Sequence, residues 1–170
     1  GFAVAKYRIV MTGSDASTRT ETTTSNATTA NFSGLTNGVA YTYQVWALTN
    51  FGQSVDSATS NTIIPSGTPG TPTNLQLTRG DARISATFTA PSAWGGVAPK
   101  DYVVEKSTDA NSWTEVPAAD IQRAFDTATA LTVINLTNGT QTFLRISARN
   151  MSGTAGSGVV GSATPLARPD

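Results

Sequence analysis

Cysteine and histidine are both absent from this chain of 170 residues. Without thiols there is no disulfide, no iron–sulfur cluster and no cysteine-based zinc site. Without imidazole the commonest general base is missing, and with it any Ser-His-Asp arrangement. Charge is scarce too, at 13% of residues, divided evenly into 11 basic and 11 acidic. A nucleic acid or an anionic membrane surface held by bulk electrostatics needs a basic excess, which this chain does not have. No apolar run approaches the roughly 18 residues of a membrane span, and no signal-peptide pattern opens the sequence.

What remains is rich in threonine, serine, asparagine, glycine and alanine, and thin in leucine, glutamate and lysine. Threonine is β-branched and loses rotamer freedom in a helix, so alternating threonine-rich segments favour strands. Alternation is present. Tyr41, Tyr43, Val45 and Ala47 fall on one side of a strand, with Thr42 and Gln44 on the other. Leu144, Ile146 and Ala148 repeat this against Arg145 and Ser147, and Ala82, Ile84, Ala86 and Phe88 alternate with Arg83, Ser85, Thr87 and Thr89. Tyr102 with Val104, and Tyr7 with Ile9 and Met11, do the same. Only Ala118 to Ala128 is ambiguous. The class is all-β.

The stretch LTNGVAYTYQVWALTNFG at 35–52 returns as LTNGTQTFLRISARNMSG at 136–153, displaced by 101 positions. Turn formers separate the strands: Arg79-Gly80-Asp81, Trp94-Gly95-Gly96, and the two Asn-Gly pairs at 37–38 and 138–139, which tolerate positive φ. Between the copies, Pro65-Ser66-Gly67-Thr68-Pro69-Gly70-Thr71-Pro72 reads as a short, stiff, extended linker. Two domains follow, 1–67 and 68–170.

The pattern Leu-x-x-Gly-x-x-Tyr-x-x-x-Val-x-Ala, carried by Leu35, Gly38, Tyr41, Val45 and Ala47 and continued by Asn50, Gly52 and Ser54, resembles the E–F–G portion of fibronectin type III domains. In the second copy, Phe88-Thr-Ala-Pro91, Gly95-Gly96, Tyr102-Val-Val, Ser107-Thr-Asp109 and Trp113 resemble strands B, C and C′ of that family in its bacterial style. The resemblance implies tandem immunoglobulin-like β-sandwiches. It also implies that the first copy starts in strand C, lacking A and B, so that residues 1–67 hold strands C to G. On this reading the chain is a piece of a longer array, its end (Arg168-Pro169-Asp170) entering another linker. Something must then cover the open face of the first domain: upstream chain, or a strand donated by a neighbour. Two departures stand out. Phe88 replaces the family's usual tryptophan. Thr142 replaces the tyrosine that ties the E–F corner, so the second corner is expected to be the looser one.

Candidate chemistry is sparse. Arg79-Gly80-Asp81 spells an integrin-binding tripeptide, but it lies at an expected A–B hairpin turn. Asp109-Ala-Asn111 has alternating oxygens without the glycine and closing glutamate of a calcium loop. Asp15, Glu21, Asp56, Asp101, Glu105, Asp109, Glu115, Asp120 and Asp126 scatter over loops and outward strand positions, with no pair set across a cleft. No catalytic, metal or cofactor residue is expected. For interaction, the candidates are Trp94 in the B–C loop, Phe51 in the F–G loop and Trp46 on an outward face. The resemblance places the B–C and F–G loops at one pole, where Trp94 would pack on the linker and a neighbouring module; Trp113 would cover a sheet edge. Asn26, Asn31, Asn135, Asn138 and Asn150 begin Asn-x-Ser/Thr sequons.

The expected role is a non-catalytic spacer and adhesive module of a secreted or cell-surface repeat protein. Its expected partners are adjacent modules, protein or polysaccharide ligands, or neighbouring copies completing the first domain, with no nucleic acid and no membrane insertion. Two alternatives are a building block of a surface layer, filament or virion, and an accessory region of a secreted polysaccharide-degrading enzyme.

Overall fold

A computed structural model describes residues 3–55, 57–153 and 155–167. The alternating segments form twelve strands among them. The first four are β1 (Lys6–Gly13), β2 (Thr18–Thr22), β3 (Tyr41–Thr49) and β4 (Gly52–Gln53). Then come β5 (Thr73–Gly80), β6 (Arg83–Thr89), β7 (Pro99–Ser107), β8 (Thr114–Glu115), β9 (Ile121–Arg123), β10 (Ala130–Val133), β11 (Thr142–Asn150) and β12 (Ala155–Ala163). The ambiguous stretch resolves into a single 3-10 turn, Ala118–Asp120, running straight into β9. Two compact units result, Gly1–Ser66 and Gly67–Asp170.

The second unit contains two antiparallel sheets, ordered β5-β6-β10-β9 and β12-β11-β7-β8. Alternate side chains of each sheet point inward and interlock, the packing of a β-sandwich. Ile84, Val133, Leu144 and Ile146 are completely buried there, with Ala86 and Val104 nearly so. Each such Ile, Leu or Val contributes about 1.5–3 kcal/mol on leaving water. Phe88 fills its position by meeting Tyr102 edge-on, with ring centroids 4.7 Å apart.

The first unit has one sheet, β2-β1-β3-β4. These strands correspond to C′, C, F and G. Strand E, expected among C to G, does not form, and residues 23–40 contain no strand. The reason is non-local. In the second unit β10 exists because it pairs with β6, Leu131 opposite Ala86 and Val133 opposite Ile84. Among its described residues the first unit contains no strand able to offer that ladder.

Its other edge is also unusual. β4 is only two residues long, yet β3 is paired well beyond it. Ser54 N donates to Ala47 O, Ser57 N to Val45 O, Ser60 N to Tyr43 O and Ile63 N to Tyr41 O, at 2.8–3.0 Å when Tyr41 N returning to Ile63 O is included. In the other direction, the Ser54, Ser57 and Ser60 hydroxyls accept from Ala47 N, Val45 N and Tyr43 N at 3.0, 3.1 and 2.9 Å. The segment meets β3 at every third residue, the period of a polyproline II chain, and serine hydroxyls supply the acceptors that a regular strand would take from its backbone.

Two further expectations are corrected. Gly67–Pro72 is not a free extended linker: Gly67 N donates to Gly95 O and Gly70 N to Ala93 O, both at 2.9 Å, and Pro72 is buried in the second unit. Nor is the second E–F corner left loose. Tyr41 OH accepts from Thr36 N at 3.0 Å in the first unit, a tie Thr142 cannot make. Instead, Asn138 Oδ1 accepts from Ala82 N at 2.9 Å and its Nδ2 donates to Asp81 at 2.8 Å. Leu136 N adds a bond to Ala82 O. The A–B turn does for the second corner what the tyrosine does for the first.

Candidate functional site

The inner face of the first sheet forms a concave surface. Tyr7, Ile9, Tyr43 and Val45 floor a groove of about 530 Å³, and Ala27 to Phe32 with Ile63 form its walls. The Phe32 ring lies 5.2 Å from that of Tyr43. Arg19 on β2 holds this wall in place, its Nη1 donating to Ser33 O at 2.6 Å and its guanidinium lying 5.5 Å from the Phe32 ring. Glu21 pairs with Arg19 at 3.1 Å. Because Arg19 and Glu21 stand opposite Met11 and Ile9 in register, they lie on the inner side, contrary to the outward placement expected for Glu21. With no second sheet facing β2, both side chains keep water contact. The groove is largely apolar, suited to extended chain or a flat apolar group, and presents no reactive pair.

The aromatic candidates do not converge. Trp46 lies on the other side of the same sheet, beneath the Arg8 guanidinium at 4.5 Å, as the Arg8–Trp46 register dictates. Phe51 is 76% exposed at the β3–β4 turn. Trp94 turns inward onto its own unit, not onto the neighbouring module expected for it. It packs on the core of the second unit, 5.7 Å from Tyr102. The cause is the backbone: Gly95 and Gly96 both have positive φ, and a β-carbon on Gly95 would collide with Gly67 O. Asn150, fully buried, completes this closure by donating to both Gly67 O and Trp94 O at 2.9 Å. Its sequon is therefore closed to modification in the folded chain, whereas Asn26, Asn31, Asn135 and Asn138 are exposed. Trp113 lies just ahead of β8, beneath Arg145 at 4.5 Å.

Most carboxylates among the described residues are committed to structure. Asp81, of the Arg79-Gly80-Asp81 turn, holds Asn138. Asp109 accepts from Asn111 N, Ser112 N and the Ser107 hydroxyl, bonds that hold its pKa well below the usual carboxylate range. Its oxygens close a turn rather than await a cation. Asp15 caps Ser17 in the same way and is likewise lowered. Glu105 and Asp101, on the outward side of β7, make bidentate pairs with Arg145 (2.6 and 2.6 Å) and Arg149 (2.8 and 2.6 Å). The hydrogen bond from Arg149 lowers the Asp101 pKa against the desolvation that would raise it. Asp120 accepts from Asn135 and Asp126 pairs with Arg123; Glu115 is exposed. Asp56 and the Arg168-Pro169-Asp170 terminus lie outside the described residues. Sequence reasoning found the floor of the groove through its alternation but missed its walls and the serine ladder, whose signal was the spacing Ser54, Ser57, Ser60.

These two units have the strand order of fibronectin type III-like domains, two-layered in the second and single-layered in the first. Solved structures agree. The chain is similar to a run of domains from titin, at 25% identity and a TM-score of 0.55, over 75% of this chain and 41% of that one. It is also similar to the FN1–FN3 domains of chicken CNTN1, at 15% identity and a TM-score of 0.50, over 95% of this chain and 55% of that one. The chain thus spans less than two thirds of either structure. No protein-family model and no curated protein matches it. Among the described residues no helix is long and apolar enough to cross a membrane.

Proposed function

We propose that this chain is a non-catalytic structural and adhesive module of a longer secreted or cell-surface repeat protein, acting as spacer and as a protein or glycan interaction surface. The observation that supports this is the state of its functional groups: among the described residues, most carboxylates and most aromatic rings are tied into turns, ion pairs and packing, and the serine hydroxyls that meet carboxylates, Ser17 with Asp15 and Ser107 with Asp109, do so inside turns. The fold likeness to tandem modules of titin and CNTN1 points the same way. The test is binding of the purified chain to insoluble polysaccharides and a glycan array, alongside incubation with the same polysaccharides. Release of soluble sugar would overturn the non-catalytic reading.

The groove on the first sheet favours a second reading, in which a neighbouring copy or other chain lays a strand on that face and builds a layer, filament or particle. Hydrogen exchange at Tyr43 and Val45 distinguishes the two. Protection that grows with protein concentration supports assembly; concentration-independent exchange supports the spacer.

A further inference from the structure

We propose that the second unit carries a binding slot for a phenolic ring, at the place where the first unit holds its own Tyr41. That side chain is buried, with its hydroxyl on Thr36 N. Its ring needs a bare neighbour: Gly13 is its cross-strand partner, and a β-carbon there would stand 2.9 Å from Tyr41 Cε1. In the second unit the ring and its bare neighbour change together, while the residue that supplies the amide is kept. Thr142 stands for Tyr41 and Thr137 for Thr36; Thr108, which follows the Ser107–Phe143 pair in register, stands for Gly13.

The backbone frame is nevertheless kept. Val39 N donates to Thr36 O and Thr140 N to Thr137 O, both at 3.3 Å, while Gly38 N meets Pro65 O at 2.9 Å and Gly139 N meets Pro165 O at 2.8 Å. A frame shaped for a ring, minus the ring, leaves a cavity. One of about 400 Å³ is found there, and Thr108, Thr137, Thr140, Thr142, Lys106 and Leu136 are among its lining residues. Threonine methyls and Leu136 offer apolar contact to a ring, while hydroxyls and the Thr137 amide serve one polar end. This is the chemistry of a para-substituted phenol, either free or borne by a partner's tyrosine. The β-carbon of Thr108 narrows the slot, but an untethered ring can settle beside it.

The test is an amide NMR titration of the full chain with 4-methylphenol, with N-acetyltyrosinamide and N-acetylphenylalaninamide as separate arms. The expected result is saturable shifts at Thr108, Thr137, Thr140 and Thr142, with a dissociation constant on the order of 1 mM for a group this small. Thr108→Gly should tighten binding about threefold or more, and Thr108→Gly with Thr142→Tyr should abolish it by filling the slot internally. Binding of the tyrosine amide but not the phenylalanine amide assigns the slot to a partner's side chain; binding of 4-methylphenol alone assigns it to free phenols. Should the double variant fail to fold, ring-to-threonine cross-relaxation in Thr108→Gly decides instead. No saturable shift in either the wild type or Thr108→Gly, or undiminished shifts in a folded double variant, overturns the proposal.

Discussion

Val45 and Ile146 occupy the same place in β3 and β11, paired with Ile9 and Val104. Ile146 is completely buried, while Val45 keeps part of its surface in water. Local sequence is alike in both strands, so the difference comes from the layer opposite, which is a full sheet in the second unit and the irregular segment 27–32 in the first. Alternation marks the face that seeks burial; a distant partner decides whether burial occurs.

Truncation measures that difference most directly. Ile146→Ala should cost about 2–5 kcal/mol, as cavity-forming core substitutions do, and Val45→Ala less than about 1. Urea unfolding followed by amide signals from each unit reads the two separately. Equal costs would mean that the first face is covered in solution.

Next in size is the Arg149–Asp101 pair, whose place in the register of the first unit is taken by Lys6 opposite Leu48, which is no ion pair. Arg149→Ala should cost about 1–3 kcal/mol at neutral pH by stranding a nearly buried carboxylate. The Asp101 pKa is lower in the folded chain than the unfolded value near 3.9. Its stabilisation is therefore complete above that unfolded value and disappears as pH falls through the folded one. Acid titration should accordingly weaken the second unit in a way Asp101→Asn removes.

Asn138→Ala should destabilise the second unit by about 1 kcal/mol through its lost hold on Ala82 and Asp81, and Asp81→Ala by part of that. Asn37→Ala, the matching change in the first unit, should have no measurable effect on amide exchange. If Asp81→Ala leaves stability untouched while removing cell adhesion, the tripeptide works as a ligand and not as a turn. The smallest expected change is Ser57→Ala, below about 1 kcal/mol, seen as faster exchange of the Val45 amide.

Much of this was readable from residue order. The period-2 runs of β1, β3, β6, β7 and β11 announced their inward faces, and the recurrence of Leu-Thr-Asn-Gly announced two units. Three things were hidden. Strand E failed to appear because a strand is a property of a pair, and Leu35 carries no information about its partner. Trp94 was expected to pack on the linker and a neighbouring module, whereas it packs on the core of its own unit, because the path of its loop depends on Gly67 and Asn150, far along the chain. The serine ladder escaped because its period of three matches neither strand nor helix.

That ladder has its own rule for chain length. Along an ordinary strand, a slip by one residue turns every side chain to the opposite face. Along Ser54–Ser60 a slip by one toward the C-terminus puts Val55, Ala58 and Asn61 where the hydroxyls must sit, and all three serine contacts fail together. A slip by three returns two of the three serines to a neighbouring serine rung. Insertions and deletions at this edge should be tolerated in triplets, with the excess absorbed at the β3–β4 turn, as though the protein edge were read in codons of its own.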